Sequence, residues 1–340
     1  MMHAQTAPAY SSTRQAAVPP AARSSAGAHH PARPFSSATG IAHRPPRQRR
    51  STQRLCVRAS AAEGTSSSLA APIPTRLNTI PHERSTRQYF YRDAVSGVLS
   101  AVAAGETRMV ARCTIPELNT EFDVYRIGTL LEMVRELATA LAADGRTVKV
   151  CVQQALGQGV FQGMPLSLNG VMRIMNQMDW GEVKDRIQLG NLGAAEVDSA
   201  DAFVLISPQN IVGHSVLPLL GEMAEAAGAA GKPMILINPK LGDIQSAGGV
   251  MSVRGRQDRL DFTSTFVTAY HFRLLYKGVM MHPIMGALRH TYGGPWEVFR
   301  RVELGPGKEE YQLIASFESE PKSPQITDAF RAAWAKAASC

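Results

Sequence analysis

Acidic residues are missing from the first 59 positions. Met1 to Ala59 contains no Asp or Glu, while nine arginines fall between Arg14 and Arg58. The formal net charge of +8 resides in that stretch, and the chain after Ala59 carries about −1. A near-neutral body lacks the basic footprint of a nucleic-acid binder, and aromatics, at 6%, are too few and scattered for a base-stacking platform. Cysteine is scarce: Cys56, Cys113, Cys151 and Cys340, with no C-x-x-C spacing, argue against a structural zinc or a redox dithiol. Cys113 and Cys151 lie in apolar runs and are expected as small buried hydrophobes. No run of about 18 apolar residues occurs, so no transmembrane helix is expected. His82, His214, His271, His282 and His290 show no metal-ligand spacing. Neither a Ser/His/Asp set nor a G-x-S-x-G elbow is present. No motif demands an enzyme.

The acid-free segment is rich in Ser, Ala, Pro and Arg, the composition of an organellar transit peptide. Val57-Arg58-Ala59 resembles the Val-x-Ala cleavage site of green-algal chloroplast transit peptides. Residues 1–59 are therefore expected to target the chain to the chloroplast stroma. The competing reading is a basic tail that stays attached. Residues 60–80 read as a Ser/Ala/Pro-rich disordered linker, and residues 81–338 as a single α/β domain.

Ala202 to Leu241 sets the pattern of that domain. Phe203–Ile206 is an unbroken apolar run ending in Ser207-Pro208, and Met234–Ile237 is another ending in Asn238-Pro239. Between them Val216, Leu219, Leu220 and Met223 recur at helical spacing. Strands without alternation suit burial on both faces, and a helical crossover returns the chain parallel. Upstream, the sequence predicts a helix over 87–104, a strand over 108–115, a helix over 125–143 stopped at Asp144-Gly145, and a strand over 147–152. A helix over 168–178 and a short strand over 187–192 follow. Downstream, a helix over 260–276 carries Phe262, Phe266, Tyr270 and Arg273-Leu274 on one face. Strands over 286–303 and 311–317 are joined by the turn at Gly305–Gly307. A last helix over 324–336 has Ile326, Phe330 and Trp334 as its apolar positions. The expected fold is Rossmann-like: a mostly parallel sheet flanked by helices, with C-terminal antiparallel strands added at an edge.

Gly157, Gly159 and Gly163 follow the 147–152 strand and precede a helix, the place of a dinucleotide-binding loop. Their G-x-G-x-x-x-G spacing departs from the Rossmann fingerprint, and Pro165 delays the helix. A flexible surface loop is the plainer reading; NADP or an adenine nucleotide is the cofactor the loop would take. Gly228–Lys232 ends a helix and so is no P-loop. Ser207, Asn210, Asn238 and Lys240 sit at strand ends on the carboxyl edge, where open α/β sheets bind ligands, although Asn before Pro is also an ordinary turn. Arg254 and Arg256, with Arg259, could clamp a phosphate or carboxylate, or form a solvated helix start. His271 is read as structural rather than as a general base.

Pro233–Asp243, Gly249–Phe262, Tyr270–Tyr276 and Gly286–Phe299 resemble a domain-of-unknown-function family of cyanobacteria and plastids. That family includes the chloroplast Low PSII Accumulation assembly factor and an appended domain of a plastid adenylate kinase. The resemblance implies a stromal, thylakoid-associated auxiliary factor without a cofactor, acting as a non-enzymatic scaffold on a photosystem II subunit such as CP43, or on a membrane insertase. Asn238, Pro239, Arg254, Arg256, Tyr270, Arg289 and Trp296 match the shared pattern, to which no catalytic role attaches. The chain has no adenylate kinase P-loop, so kinase activity does not transfer.

Overall fold

The computed structural model describes residues 72–119, 122–153, 168–210, 215–241, 255–277 and 283–338. They all fall in one compact unit, Thr65–Cys340. Nine strands form one sheet: β1 Arg108–Thr114, β2 Val148–Val152, β3 Ile187–Asn191, β4 Ala202–Ile206, β5 Met234–Ile237, β6 Val267–Tyr276, β7 Ile284–Thr291, β8 Trp296–Gly305 and β9 Lys308–Phe317. Their spatial order is β3-β2-β4-β5-β1-β6-β7-β8-β9. Pairing is parallel from β3 through β6 and antiparallel from β6 through β9. The mostly parallel α/β sheet with antiparallel strands at one edge is thus present as the pattern implies.

Helices cover both faces: α1 Arg84–Ala103, α2 Ile127–Ala143, α3 Leu168–Met175, α4 Leu217–Ala229, α5 Arg256–Ser264 and α6 Ser323–Ala338. One face packs α1 and α2 through Phe90, Val98, Leu130, Val134, Leu137 and Leu141 onto Ala111, Val150, Val204 and Phe272. The other carries two separate cores. Leu220, Met223 and Ala227 of α4 sit on Phe203, Leu205 and Leu236, while Ile326 and Phe330 of α6 sit on Leu288, Trp296 and Val298. At Gly97 of α1 a Cβ would stand 2.2 Å from the Ala269 carbonyl oxygen, so this glycine lets the helix lie directly on β6. Asp144 caps α2 and Gly145 follows at φ 92°, the expected left-handed stop.

Three expectations are corrected. The helix read over 260–276 is α5, ending at Ser264, followed by strand β6. Thr263, Ser264 and Thr265 turn their hydroxyls onto the carbonyls of Leu260, Asp261 and Phe262, which closes the helix, and Val267-Thr268 then favours extended chain. The strand read over 286–303 is two, β7 and β8. The chain turns between them at Gly293, with φ 82°, and Pro295 lacks the N–H a continuing ladder needs. Trp334 of α6 is 47% exposed, so only Ile326 and Phe330 face the sheet. Cys113 and Cys151 are free and buried, as expected, and burial pushes both thiols well up, Cys151 to about 12.

Candidate functional site

The carboxyl ends of β2, β4, β5 and β1 lie side by side, and the polar residues read from the sequence cluster there. Ser207 and Asn238 end adjacent parallel strands, each precedes a proline, and both adopt left-handed φ, 41° and 44°. Such a backbone costs a non-glycine residue about 1–3 kcal/mol and persists where its surroundings enforce it. At Asn238 the enforcement is visible. Its Oδ1 accepts from the Cys113 N–H at 2.7 Å, and its Nδ2 donates to the carbonyls of Cys113 (2.9 Å) and Leu118 (3.3 Å). The amide thereby continues the β5–β1 ladder past the end of β5.

Asn210 and Gln153 act similarly. Asn210 Oδ1 accepts from the Val216 N–H (2.9 Å) at the start of α4 and from Ser215 Oγ (3.2 Å), while its Nδ2 donates to the Leu241 carbonyl. The buried Gln153 amide brackets Gln209, accepting from its N–H at 2.9 Å and donating to its carbonyl at 3.0 Å. Gln209 in turn bridges to Lys240 in parallel register. Ser207, Asn210, Asn238 and Lys240 are therefore brought together, with both Asn amides committed to backbone groups. Arg256 stands exposed at the first position of α5 and makes no hydrogen bond or ion pair with them. Gly157, Gly159, Gly163 and Arg254 lie outside the described residues.

A second polar group lies beside β2. Lys149 Nζ donates to Glu196 and to Ser199 Oγ (2.7 Å), and Ser199 Oγ donates to the Glu196 carbonyl (2.6 Å). The Lys149 amine is thus held between a carboxylate and a hydroxyl beside the sheet. The trio pins the Ala194–Ser199 turn over the sheet. Among the described residues no group of three or more His, Cys, Asp or Glu is placed to hold a metal.

A further row of polar side chains crosses the middle of the sheet. On the face carrying α4 and α6, Arg112 of β1 lies opposite His271 of β6, and Thr114 opposite Arg273. His271 pairs onward with His290 of β7, which pairs with Trp296 of β8. The His290 ring stacks on the Trp296 ring at 4.5 Å and 7°, and His290 Nε2 faces the Thr268 carbonyl at 3.2 Å. His271 is 3% exposed, and its Nε2 is buried without a hydrogen-bond partner. Burial first, then the charges of Arg273 and Arg112, hold its pKa well below the ordinary histidine value, so the ring is neutral. Arg273 is half-buried, its Nε is buried without a partner, and burial lowers its pKa as well. The sequence did carry a signal for this row. Tyr270-His271-Phe272-Arg273-Leu274 alternates apolar and polar with a period of two, which is strand spacing.

The flagellar accessory protein FlaH from Methanocaldococcus jannaschii aligns over 63% of this chain and 90% of its own, with 11% identity and a TM-score of 0.30, too slight a likeness to carry an argument. The family described as a domain of unknown function (DUF1995) matches residues 84–328, from the start of α1 into α6. The chain belongs to the DUF1995 family.

Proposed function

We propose that this protein is a chloroplast auxiliary factor that assists photosystem II assembly as a non-enzymatic binding scaffold. Family membership supplies the setting, through the resemblance to the Low PSII Accumulation factor. The observation that carries a scaffold role is the free edge of the sheet. β9 is hydrogen-bonded to β8 on one side only, and Leu304 (59% exposed), Leu313 (52%) and Trp334 (47%) surround it with apolar surface. A groove of about 410 Å³ between α6 and the last strands lies beside that edge, lined by Leu313, Ile314, Ala332 and Ala333 together with the polar Arg300, Gln312 and Lys336. An unpaired strand beside apolar side chains suits an extended segment of a membrane-protein client, which could add its own strand. The charge-poor partner in view is a photosystem II subunit such as CP43, or the insertase that delivers it, met at the stromal side of the thylakoid.

The test is affinity capture from thylakoid extracts, read by immunoblot for CP43 and for the insertase. The wild-type protein is expected to retain one of them, and Leu313→Glu or Trp334→Glu to lose it while the fold is kept. Equal retention by wild type and both variants removes the β9 edge as the contact, and retention by none removes the partner.

A nucleotide-binding reading has one structural support of its own. β2 and β4 are adjacent, and the chain leaves them in opposite directions, β2 toward β3 and β4 toward β5. The crevice at such a switch point is where open α/β sheets take nucleotides, and the segment bearing Gly157, Gly159 and Gly163 departs from it. NADPH or ATP at about 100 times its Kd would stabilise the protein by about 2.7 kcal/mol. A thermal scan without any such shift disposes of this alternative.

A further inference from the structure

We propose that Arg300, in the groove between α6 and β9, selects an extended client segment carrying an acidic side chain, Glu above all. This rests on the reading of the β9 edge given above and adds the chemistry of the segment that pairs with it.

The three arginines of β7 and β8 differ in their partners. Arg289 is met by Asp93 at 2.7 Å and by Glu297 at 3.4 Å. Arg301 is met by Glu303 at 2.9 Å and by the buried Glu309. Among the described residues Arg300 meets only neutral oxygens. Its Nη1 donates to the Ala333 carbonyl of α6 at 3.3 Å, and its Nη2 to Gln312 Oε1 at 3.4 Å. Both bonds are longer than the usual range of about 2.7–3.2 Å. Arg300 Nε is buried with no partner. The Glu310 carboxylate accepts from Gln312 Nε2, so a neutral amide separates that acid from the guanidinium.

This cation stands in the wall of a groove. Among the described residues that line it none is Asp or Glu, and the other charged one, Lys336, is also a cation. Leu313, Ile314, Ala332 and Ala333 supply the apolar part of the lining. An occupant of that groove therefore gains from apolar side chains and from one negative charge.

The β8–β9 register gives the place of that charge. Gln312 is opposite Arg300, so a strand added beside β9 sets one residue opposite Gln312, two strand spacings or about 10 Å from the Arg300 backbone. The Arg300 side chain already crosses β9 as far as the Gln312 amide. A carboxylate reaching back from the added strand closes the remaining distance and gives the guanidinium fork a charged acceptor. Residues two before and two after it share its face and meet the apolar lining. The pattern selected is thus apolar, any, acidic, any, apolar. β9 does not carry it: Glu310 has Lys308 and Gln312 at those positions, and Glu309 has Gly307 and Tyr311. The occupant is accordingly a client segment rather than a second copy of this strand.

The probe is an acetylated, amidated peptide, Val-Thr-Val-Thr-Glu-Thr-Val-Thr-Val, carrying a fluorophore and titrated with the full-length chain by anisotropy. Versions with Gln or Lys at the central position are run beside it. Wild type should bind the Glu peptide saturably and the Gln peptide about tenfold more weakly, as loss of a charged hydrogen bond does. The Lys peptide should bind more weakly still. Arg300→Gln should bind the Glu and Gln peptides alike, and Arg300→Glu should prefer the Lys peptide. Leu219→Glu, at an exposed position of α4, should leave all three affinities unchanged. Should the Arg300 variants fail to fold, the order of the three peptides on wild type decides.

Equal wild-type affinity for the three peptides, or a preference for Glu that survives in Arg300→Gln, would overturn the proposal. So would a chain that sediments as a dimer undisturbed by the Glu peptide, which would give the edge to a second copy. Capture of CP43 or the insertase that is lost in Leu313→Glu but intact in Arg300→Gln would remove this inference and keep the edge reading. Failure of the edge reading itself looks different: no peptide binds, and Leu313→Glu captures as wild type does.

Discussion

Arg289 of β7 and Asp93 of α1 form a two-pronged ion pair, Nε to Oδ2 at 2.8 Å and Nη2 to Oδ1 at 2.7 Å, with both side chains nearly buried. The guanidinium also lies 6.0 Å from the Tyr89 ring centre and reaches Glu297. Burial works against the Arg289 charge, but the bonds and charge of Asp93 outweigh it and raise its pKa. Asp93→Ala leaves that cation without its main partner, and the expected loss is about 3–5 kcal/mol in chemical denaturation. Replacing the pair together, as Asp93→Leu with Arg289→Met, should cost much less. A double variant as unstable as Asp93→Ala would show that packing, rather than the stranded charge, sets the loss.

Asn238 is expected to matter for stability beyond its size. Asn238→Ala strands the Cys113 N–H and two carbonyls, and leaves alanine at φ 44°. The loss should be about 2–4 kcal/mol. Asn238→Gly relieves only the backbone strain and should fall between. An unfolding midpoint for Asn238→Ala equal to wild type would contradict the clasp.

Gly97→Val tests the closest helix-to-sheet approach. Its Cβ would meet the Ala269 carbonyl oxygen at 2.2 Å, a backbone atom that cannot swing aside. Forcing α1 off β6 should cost about 1–3 kcal/mol or more, despite valine's bulk adding apolar surface. The readout is again the denaturation midpoint.

Two groups give the stability a defined acid limb. His271 has a folded pKa well below 6.5, lowered by burial, Arg273, Arg112 and His290, so the unfolded chain binds the proton first. Its contribution is present above about 6.5 and is lost as pH falls beneath that value. Glu117 acts lower down. Burial pushes its carboxyl up, but the His82 ring at 2.7 Å and the His82 N–H outweigh burial and bring its pKa below 4.5. The other ring nitrogen of His82 donates to the Leu77 carbonyl at 2.9 Å. Stability from Glu117 is complete above its unfolded pKa and disappears as pH drops through the folded one. In unfolding measured from pH 8 to pH 3, His271→Gln should flatten the upper part of the limb and Glu117→Gln the lower part. Parallel limbs for wild type and both variants would contradict the assignment.

How much of this was legible beforehand follows from range. α2 was readable because Leu130, Leu131, Val134, Leu137 and Leu141 repeat one spacing over a long segment, and all are buried. The β4–α4–β5 unit was readable because its strands are apolar on both faces. Local pattern failed after Leu260, where Phe262, Phe266 and Tyr270 fit a helical period while residues 270–274 fit a strand. Three hydroxyl side chains bonding back to carbonyls decided between them. The site suffered from distance along the chain. Ser207 and Asn238 were visible as strand ends, but Asn238 closes on Cys113 across 125 positions. The facing of Arg112 and His271 exists only once β6 pairs with β1.

The central claim is that the protein serves photosystem II assembly through binding rather than catalysis. Its most direct test is pulse labelling of thylakoid proteins in a strain lacking the protein, rescued with wild type or with the Trp334→Glu, Leu313→Glu double variant. The account predicts normal synthesis of CP43, faster loss of labelled CP43 and reduced assembled photosystem II, restored by wild type and not by the variant. Unchanged CP43 lifetime and full photosystem II accumulation without the protein would contradict it.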